Sequence, residues 1–203
     1  MKRPKQKTQR KQSKQDVLIL SVPHANPIGA GDRYSEQHAH ILKTYWSVPV
    51  YMIINRRLRI PNQVDYNRSF TPWPRLTKTV HRLSRVKPSI LHLDIHSFDS
   101  IPQQWRVPPT SQLVIMAEGK NYKLLQEIQR IDTTYCPFPI VQGSRLNRNI
   151  VNSRKHNIPS LLLEFRSKPV SNNLYRKISK FCKIYQKLYQ EVYGPPHTPN
   201  KQF

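Results

Sequence analysis

The sequence predicts a three-layer α/β/α domain with a mostly parallel or mixed central sheet. Short apolar runs alternate along the chain with longer amphipathic segments, which is the pattern of an α/β domain. The runs are continuously apolar, as is typical of strands covered on both faces. The length of 203 residues suits one such domain.

Five apolar runs bounded by polar or proline-containing turns are predicted as strands. They are residues 17–22, 50–54, 90–95, 113–117 and 160–165. The first follows a basic segment but is shorter than the about 7 to 15 apolar residues of a secretory signal. It is therefore expected to be a buried strand.

Five amphipathic segments are predicted as helices: residues 35–45, 74–86, 121–135, 147–156 and 172–193. The last has apolar residues at three- and four-residue steps, which gives one buried stripe with lysine and arginine outside. Gly194 and the two prolines after it are expected to end this helix.

A single domain is predicted over residues 16–194, with a disordered basic arm at 1–15 and a flexible tail at 195–203. The arm has seven Lys and Arg, no acid and no large apolar residue after Met1, so it cannot bury a core. The chain has 34 Lys and Arg against 11 Asp and Glu, a net charge of +23, of which +16 lies outside the arm. Nucleic acid or another polyanion is therefore a candidate partner, particularly through the arm.

The sequence also indicates the cellular compartment in which the protein is expected. No run approaches the ~20 apolar residues that span a bilayer, so no membrane span is expected. Cys136 and Cys182 lack the close paired spacing of a disulfide framework or a zinc ribbon. Reduced thiols in an intracellular, cytoplasmic protein are the expectation.

Polar residues occur where three predicted strands end, which is where open α/β sheets bind ligands. His24 follows the first strand, Asp94 and His96 end the third, and Glu164 lies in the last. Asp94 and His96 are two residues apart and share a strand face, so the carboxylate can orient the imidazole as a metal ligand. A hydrogen-bonded histidine at a strand end is the alternative for His96, and it is the expected role of His92.

Two further polar features are candidates for chemistry. Glu164 lies among leucines and Phe165, where an ionised carboxylate is costly unless it is paired or binds a metal, and a salt bridge to Arg166 is the structural alternative. Arg68 has a planar fork suited to a carboxylate, and Asn67 adds a donor and an acceptor beside it. An exposed pair that opens the next helix is the alternative for these two residues.

In their order, these residues resemble the N-formylglutamate amidohydrolase family, which is related to the zinc carboxypeptidases and zinc-dependent deacylases. The resemblance covers roughly residues 18–166: Pro-His at 23–24, Asp-x-x-x-Glu at 32–36, Asp-x-Asn-Arg at 65–68, Asp-x-His-Ser at 94–97 and Glu at 164. It implies a phosphorylase/hydrolase-like fold and zinc-dependent cleavage of an amide bond. The implied partner is a small anionic substrate, an N-acyl amino acid or peptide-like amide bearing a carboxylate.

The resemblance also implies a single zinc ion held by His24, His96 and an acidic residue. Glu36 is the first choice for that ligand, because it should share a helix face with Asp32, which is the alternative. His38 and His40 remain open as well.

The remaining roles follow from the same resemblance. Glu164 would act as the general base, Asp94 would support His96, and Asn67 and Arg68 would bind the substrate carboxylate. Apart from the resemblance, Arg57 follows a predicted strand and Arg145 follows Gly143, so either is a candidate to face the carbonyl oxygen, and solvated surface charge is the alternative for both.

Departures from the family pattern affect the substrate and the ligand spacing. The chain has Pro-His-Ala-Asn at 23–26 where the family has Pro-His-Ser-Gly, and Pro27 stands where carboxypeptidases have their acidic ligand. The chain is also short for the family, so the amide need not be formylglutamate. The alternative function is non-catalytic binding of nucleic acid or another polyanion on a degenerate hydrolase scaffold.

Overall fold

A computed structural model describes residues 16–25, 34–55, 73–87, 89–143 and 148–197. The predicted arm at 1–15 and residues 198–203 of the predicted tail lie outside these ranges. Within them, the elements in chain order are β1 (Val17–Val22), α1 (Ser35–Lys43), β2 (Val50–Ile54), α2 (Pro74–Ser84), β3 (Ile90–Phe98), β4 (Leu113–Ala117), α3 (Gly119–Ile131), β5 (Ile140–Gln142), α4 (Arg148–Lys155), β6 (Ser160–Arg166) and α5 (Asn172–Tyr193). A 3-10 turn, Gln103–Trp105, lies between β3 and β4.

The strands form one mixed sheet in the order β2-β1-β3-β6-β4-β5. β2, β1, β3 and β6 are parallel, whereas β4 is antiparallel to β6 and parallel to β5. We call the edge where β1, β3 and β6 end the carboxyl edge, and the edge where they begin the amino edge. The predicted α/β fold with a mixed sheet is confirmed.

Helices cover both faces of the sheet. The larger core packs alternate strand residues, including Leu20, Leu93 and Leu163, against α1, α3 and α5. The smaller core packs Val17, Ile19 and Ile90 with residues of α2. These strands are covered on both faces, which explains their continuous apolar runs.

Most element bounds agree with the sequence prediction, and the differences have local causes. β3 continues to Phe98 because its last residues pair with β6, up to Arg166. α1, α2 and α3 end earlier than predicted, and α3 begins at Gly119. β5 was not predicted because its three residues are too few to show a periodic pattern of apolar and polar side chains.

Residues 195–197 continue past α5 along the domain surface. The His197 amide donates to the His156 carbonyl at 3.0 Å, and Pro196 is buried. No helix in the described part of the chain is both long and apolar enough to cross a membrane.

Candidate functional site

The turn after β1 places His24 at the carboxyl edge. Asn55, directly after β2, fixes this turn from the neighbouring strand. Its amide donates to the Val22 carbonyl at 2.9 Å, its carbonyl accepts from the Ala25 amide at 3.1 Å, and its side chain donates to the Pro23 carbonyl at 3.1 Å. The backbone on both sides of His24 is thereby fixed.

The His24 and His96 rings lie side by side at this edge. Their centroids are 5.4 Å apart in an edge-on arrangement. His96 is 4% exposed, in the last part of β3, and its Nε2 lies 3.2 Å from Asp94 Oδ2. The two imidazoles come together because β1 and β3 are adjacent parallel strands.

Asp94 is fully buried beneath His96 and is held by two further donors. Ser21 of β1 donates its hydroxyl proton to Oδ1, and the Asn149 side chain of α4 donates to Oδ2 at 3.2 Å. Burial acts to raise the pKa of Asp94, but the adjacent His96 and His92 rings and the hydrogen bonds from His96 and Ser21 outweigh it and lower the pKa to about 2. The carboxylate is therefore ionised at neutral pH, which favours a fixed orientation of His96.

His92 extends this buried network towards α4. Its Nε2 lies 2.7 Å from Ser21 Oγ, and its Nδ1 lies 2.7 Å from Ser153 Oγ. Because Ser21 gives its proton to Asp94, it accepts from the Nε2–H of His92, and Nδ1 accepts from Ser153. Burial lowers the pKa of His92 to about 4, although Asp94 acts in the opposite direction. His92 has the hydrogen-bonded role expected from the sequence.

Glu164 is the β6 residue paired with His96 in the sheet register. Paired residues on adjacent parallel strands project to the same face, so Glu164 lies on the face that carries Asp94 and His96. Its side chain is partly exposed, unlike the leucines before it. A glutamate is thus placed on the strand position beside His96 at the carboxyl edge.

Arg166, the predicted structural partner of Glu164, contacts loop carbonyls. Its guanidinium donates to the carbonyl oxygens of Asp99 at 3.1 Å and Ser111 at 3.3 Å, and also to that of Pro109. The same group lies over the Phe98 ring, 5.1 Å from its centroid. Arg166 therefore ties the end of β6 to the loop between β3 and β4.

Glu36 lies in the first turn of α1, close to the end of β3. The Tyr34 amide, just before the helix, donates to Ser97 Oγ at 3.4 Å. The Glu36 side chain is 27% exposed, with Oε1 3.5 Å from His40 Nε2. Asp32, the alternative ligand, lies outside the described residues.

His38 has a structural role on the opposite face of the sheet. Its Nε2 donates to the Arg166 carbonyl at 3.1 Å, so its Nδ1 accepts from the Tyr175 hydroxyl at 2.6 Å. The ring stacks on Phe165 with centroids 4.5 Å apart. Burial lowers the pKa of His38 to about 4, against the effect of the bond to Arg166. The ring is neutral, and both of its nitrogens are used inside the protein.

The described side chains fit a zinc site in part. His24 and His96 supply imidazole nitrogens, which zinc accepts, and Asp94 orients one of them. Within the described residues, no three His, Cys, Asp or Glu side chains are placed to hold a metal ion together. Of the two acidic ligands suggested by the sequence, Glu36 is paired with His40 and Asp32 lies outside the described residues.

Several predicted site residues lie outside the described residues, namely Asn67, Arg68, Arg57 and Arg145. Conversely, Asn55, Ser21 and Asn149 were not predicted as site residues. Ser21 had a signal, because it is the only polar residue in the apolar run of β1. Asn55 and Asn149 had none, because their roles depend on which strands and helices are neighbours.

Comparisons with known proteins show a shared fold. No protein-family model and no curated protein matches the sequence. A similar solved structure is gene product Atu2144 from Agrobacterium tumefaciens, with 12% identity, a TM-score of 0.52 and coverage of 88% of this chain and 90% of that one. The CwlD amidase from Clostridioides difficile, in complex with the GerS lipoprotein, has 13% identity and a TM-score of 0.40, with coverage of 87% and 99%. The first similarity shows that this chain shares its fold with the Agrobacterium protein.

Proposed function

We propose that the protein is a zinc-dependent amidohydrolase that acts on small N-acyl amino acids or peptide-like amides with a carboxylate. The observation that carries the proposal is the placement of His24 beside His96, with Asp94 behind His96 and Glu164 paired with it. An orienting carboxylate, two imidazoles and a second carboxylate at one sheet edge are the side chains that metal-assisted hydrolysis uses.

In this proposal His24 and His96 hold the metal together with Glu36 or Asp32. The bound zinc ion supplies Lewis-acid activation of water and of the amide carbonyl. Asp94, kept ionised, holds His96 so that its other ring nitrogen is directed to the metal. Ser21 and Asn149 hold Asp94 in turn.

Glu164 performs the proton transfers. It takes a proton from the attacking water as the new C–O bond forms, and it returns that proton to the amine nitrogen as the C–N bond breaks. The balanced products are a carboxylic acid and a free amine. Asn67 and Arg68 are proposed to bind the substrate carboxylate, and Arg57 or Arg145 the carbonyl oxygen.

The test is a hydrolysis assay on the full chain, loaded with zinc, using N-formyl and N-acetyl amino acids. Each substrate is paired with its carboxamide analogue, in which the carboxylate is neutral. We expect release of the amine from the carboxylate substrates, a strong preference over the analogues, and loss of activity in His96→Ala. Equal activity in His96→Ala and the unmodified protein would overturn the proposal.

The alternative function, binding of nucleic acid or another polyanion without catalysis, rests on the net charge of +23. It predicts polyanion binding by a protein that hydrolyses none of these amides. The two functions are separable by experiment, because amide hydrolysis and polyanion binding are measured independently on the same protein.

A further inference from the structure

A basic cleft lies between three helices at the end of the sheet opposite the candidate site. It has a volume of about 480 Å³ and is formed by the start of α3, the end of α4 and one residue of α5. Its basic lining residues are Lys120, Lys123, Arg154 and Lys155. All four residues are exposed to solvent.

Local contacts build the floor of the cleft. Arg154 binds the buried Glu118 carboxylate, Nη1 to Oε2, at 3.0 Å. Gly119 has a φ of +54°, and a Cβ added there would lie 3.6 Å from the Arg154 guanidinium. Glycine is the residue that adopts this left-handed conformation without strain, so the backbone can turn into α3 directly beside the guanidinium.

Tyr193 of α5 holds Lys120 at the cleft wall. The Lys120 ammonium lies 5.1 Å from the Tyr193 ring centroid, and the Tyr193 hydroxyl donates to the Lys120 carbonyl at 3.5 Å. This contact limits the freedom of a lysine side chain, which reduces the entropy lost when it binds an anion.

The buried carboxylate beneath the cleft does not neutralise the four basic side chains that line it. Glu118 offsets one of the four cations, and its side chain is only 8% exposed. The lysines and Arg154 therefore present a positive surface to solvent, at the amino end of α3 and the carboxyl end of α4. The amino end of α3 and the carboxyl end of α4 contribute helix dipoles of opposite sign, so the positive potential comes from the side chains.

The cleft is separate from the candidate site. α3 follows β4, which runs antiparallel to β6, so α3 begins at the amino edge. Glu164 lies four residues along β6 from Ser160, a distance of ~13 Å in an extended strand. Asp16, which connects β1 to the seven basic residues of the 1–15 segment, is also at the amino edge.

We propose that this cleft binds the phosphate backbone of nucleic acid, independently of base sequence and of the proposed hydrolase site. Cations spread over two helices in an open cleft suit a chain of phosphates better than a single enclosed anion. Of the aromatic side chains at the described cleft, Tyr189 is 1% exposed and Tyr193 already has the Lys120 ammonium over its ring. This favours contacts to phosphates over stacking of bases. Contacts to phosphates without base contacts give affinity without sequence readout.

The test compares two double variants of the full chain with equal charge change. The cleft variant is Lys120→Gln with Lys123→Gln, and the control is Lys177→Gln with Lys180→Gln. Each pair consists of exposed lysines three residues apart on one helix. Lys180 is nine residues from Tyr189, or ~14 Å along α5, so the control pair lies away from the cleft.

Binding to a labelled ~20-base-pair DNA duplex is measured over a range of salt concentrations, with melting temperatures as a check on folding. If both cleft lysines contact phosphates, log K against log salt becomes shallower by about 2, and the affinity near ~0.1 M salt falls about tenfold or more. The control pair and His96→Ala should keep the slope of the unmodified protein. A second duplex of unrelated sequence should bind equally well.

Equal losses in the cleft and control variants would overturn the proposal, because they would reflect net charge alone. Unchanged DNA binding in the cleft variant would overturn the proposal as well. Anionic phospholipid vesicles serve as a further probe. If the cleft variant lost vesicle binding but not DNA binding, the partner would be a membrane surface and the nucleic-acid proposal would be wrong.

Discussion

His96 and Glu164 are directly paired on the adjacent parallel strands β3 and β6. This register places a carboxylate beside a histidine that is itself held by Asp94 at 3.2 Å. The pairing exists because β3 continues three residues beyond its apolar part and remains hydrogen-bonded to β6. The acidic and imidazole groups of the candidate site are thus positioned by the rigid sheet.

Substitution of Glu164 tests the role of the general base. Glu164→Gln keeps the shape of the side chain but cannot accept the proton, so we expect amide hydrolysis to fall about 10²- to 10⁴-fold with zinc content unchanged. Glu127→Gln, at an exposed residue of α3 that pairs with Arg130, is the control and should retain activity. Full activity in Glu164→Gln would assign the proton transfer to another group.

Substitution of Asn149 tests whether its hydrogen bond holds Asp94 in place. Asn149→Ala removes the donor to the buried carboxylate, and we expect the free energy of unfolding to fall by about 1–3 kcal/mol. Asn149→Asp should be worse at neutral pH, since it places a second carboxylate beside Asp94. The measurement is urea unfolding of both variants.

Asn152→Ala, on the same helix, is the control, because its side chain donates to the Thr77 hydroxyl at 3.4 Å and does not touch Asp94. If Asn149 positions the metal ligand through Asp94, Asn149→Ala should also weaken zinc binding, by ~10- to 100-fold at most. Equal zinc affinity in both variants would limit Asn149 to a structural role.

The buried His92 should make stability depend on pH. Its pKa is 6.5 in ordinary surroundings and about 4 in the folded chain, where burial outweighs the effect of Asp94. Between these values the unfolded chain binds a proton that the folded chain does not, so stability falls as the pH drops from 6.5 to 4. Above pH 6.5 this loss is absent. Below pH 4 it is complete and lowers the free energy of unfolding by ~3 kcal/mol.

Urea unfolding at a series of pH values measures this effect. His92→Gln should remove the part of the profile that His92 contributes and leave the part from the buried His38, whose pKa is also about 4. His197→Gln, at an exposed position, should have a much smaller effect. If His92→Gln showed the same loss of stability on acidification as the unmodified protein, another group would be responsible.

The two cysteines should be inert in the folded protein. Burial raises the pKa of Cys136 to about 11, and burial also raises the pKa of Cys182, so neither forms the reactive thiolate near pH 8. A thiol-specific chromogenic disulfide should react with neither cysteine until the chain is unfolded in urea. Rapid reaction of a thiol in the native protein would show that the core around α5 opens readily.

The sequence was sufficient for the elements that carry their own pattern. α5 was predicted at its observed bounds, because its apolar stripe repeats over 22 residues and Gly194 ends it. β1 was predicted from a continuous apolar run. The three residues of β5 were missed because they are ordered by pairing with β4 rather than by local preference.

The candidate site was predictable only in part. The rule that ligands bind at the carboxyl ends of strands selected His24, His96 and Glu164 as candidates. It did not reveal that β1 and β6 are the two neighbours of β3, which is what brings these residues together. Asn149 and Asn55 act from a helix and a strand end that meet the site only in the folded chain, so no local pattern marks them.

Zinc content is the most direct test of the proposed site. The full chain is loaded with zinc, dialysed against metal-free buffer and analysed by elemental mass spectrometry, alongside His24→Ala, His96→Ala and the control His197→Ala. We expect about one zinc ion per chain in the unmodified protein and the control, and a large loss in both site variants. Absence of stoichiometric zinc, or zinc content unchanged by both substitutions, would contradict the proposed zinc site.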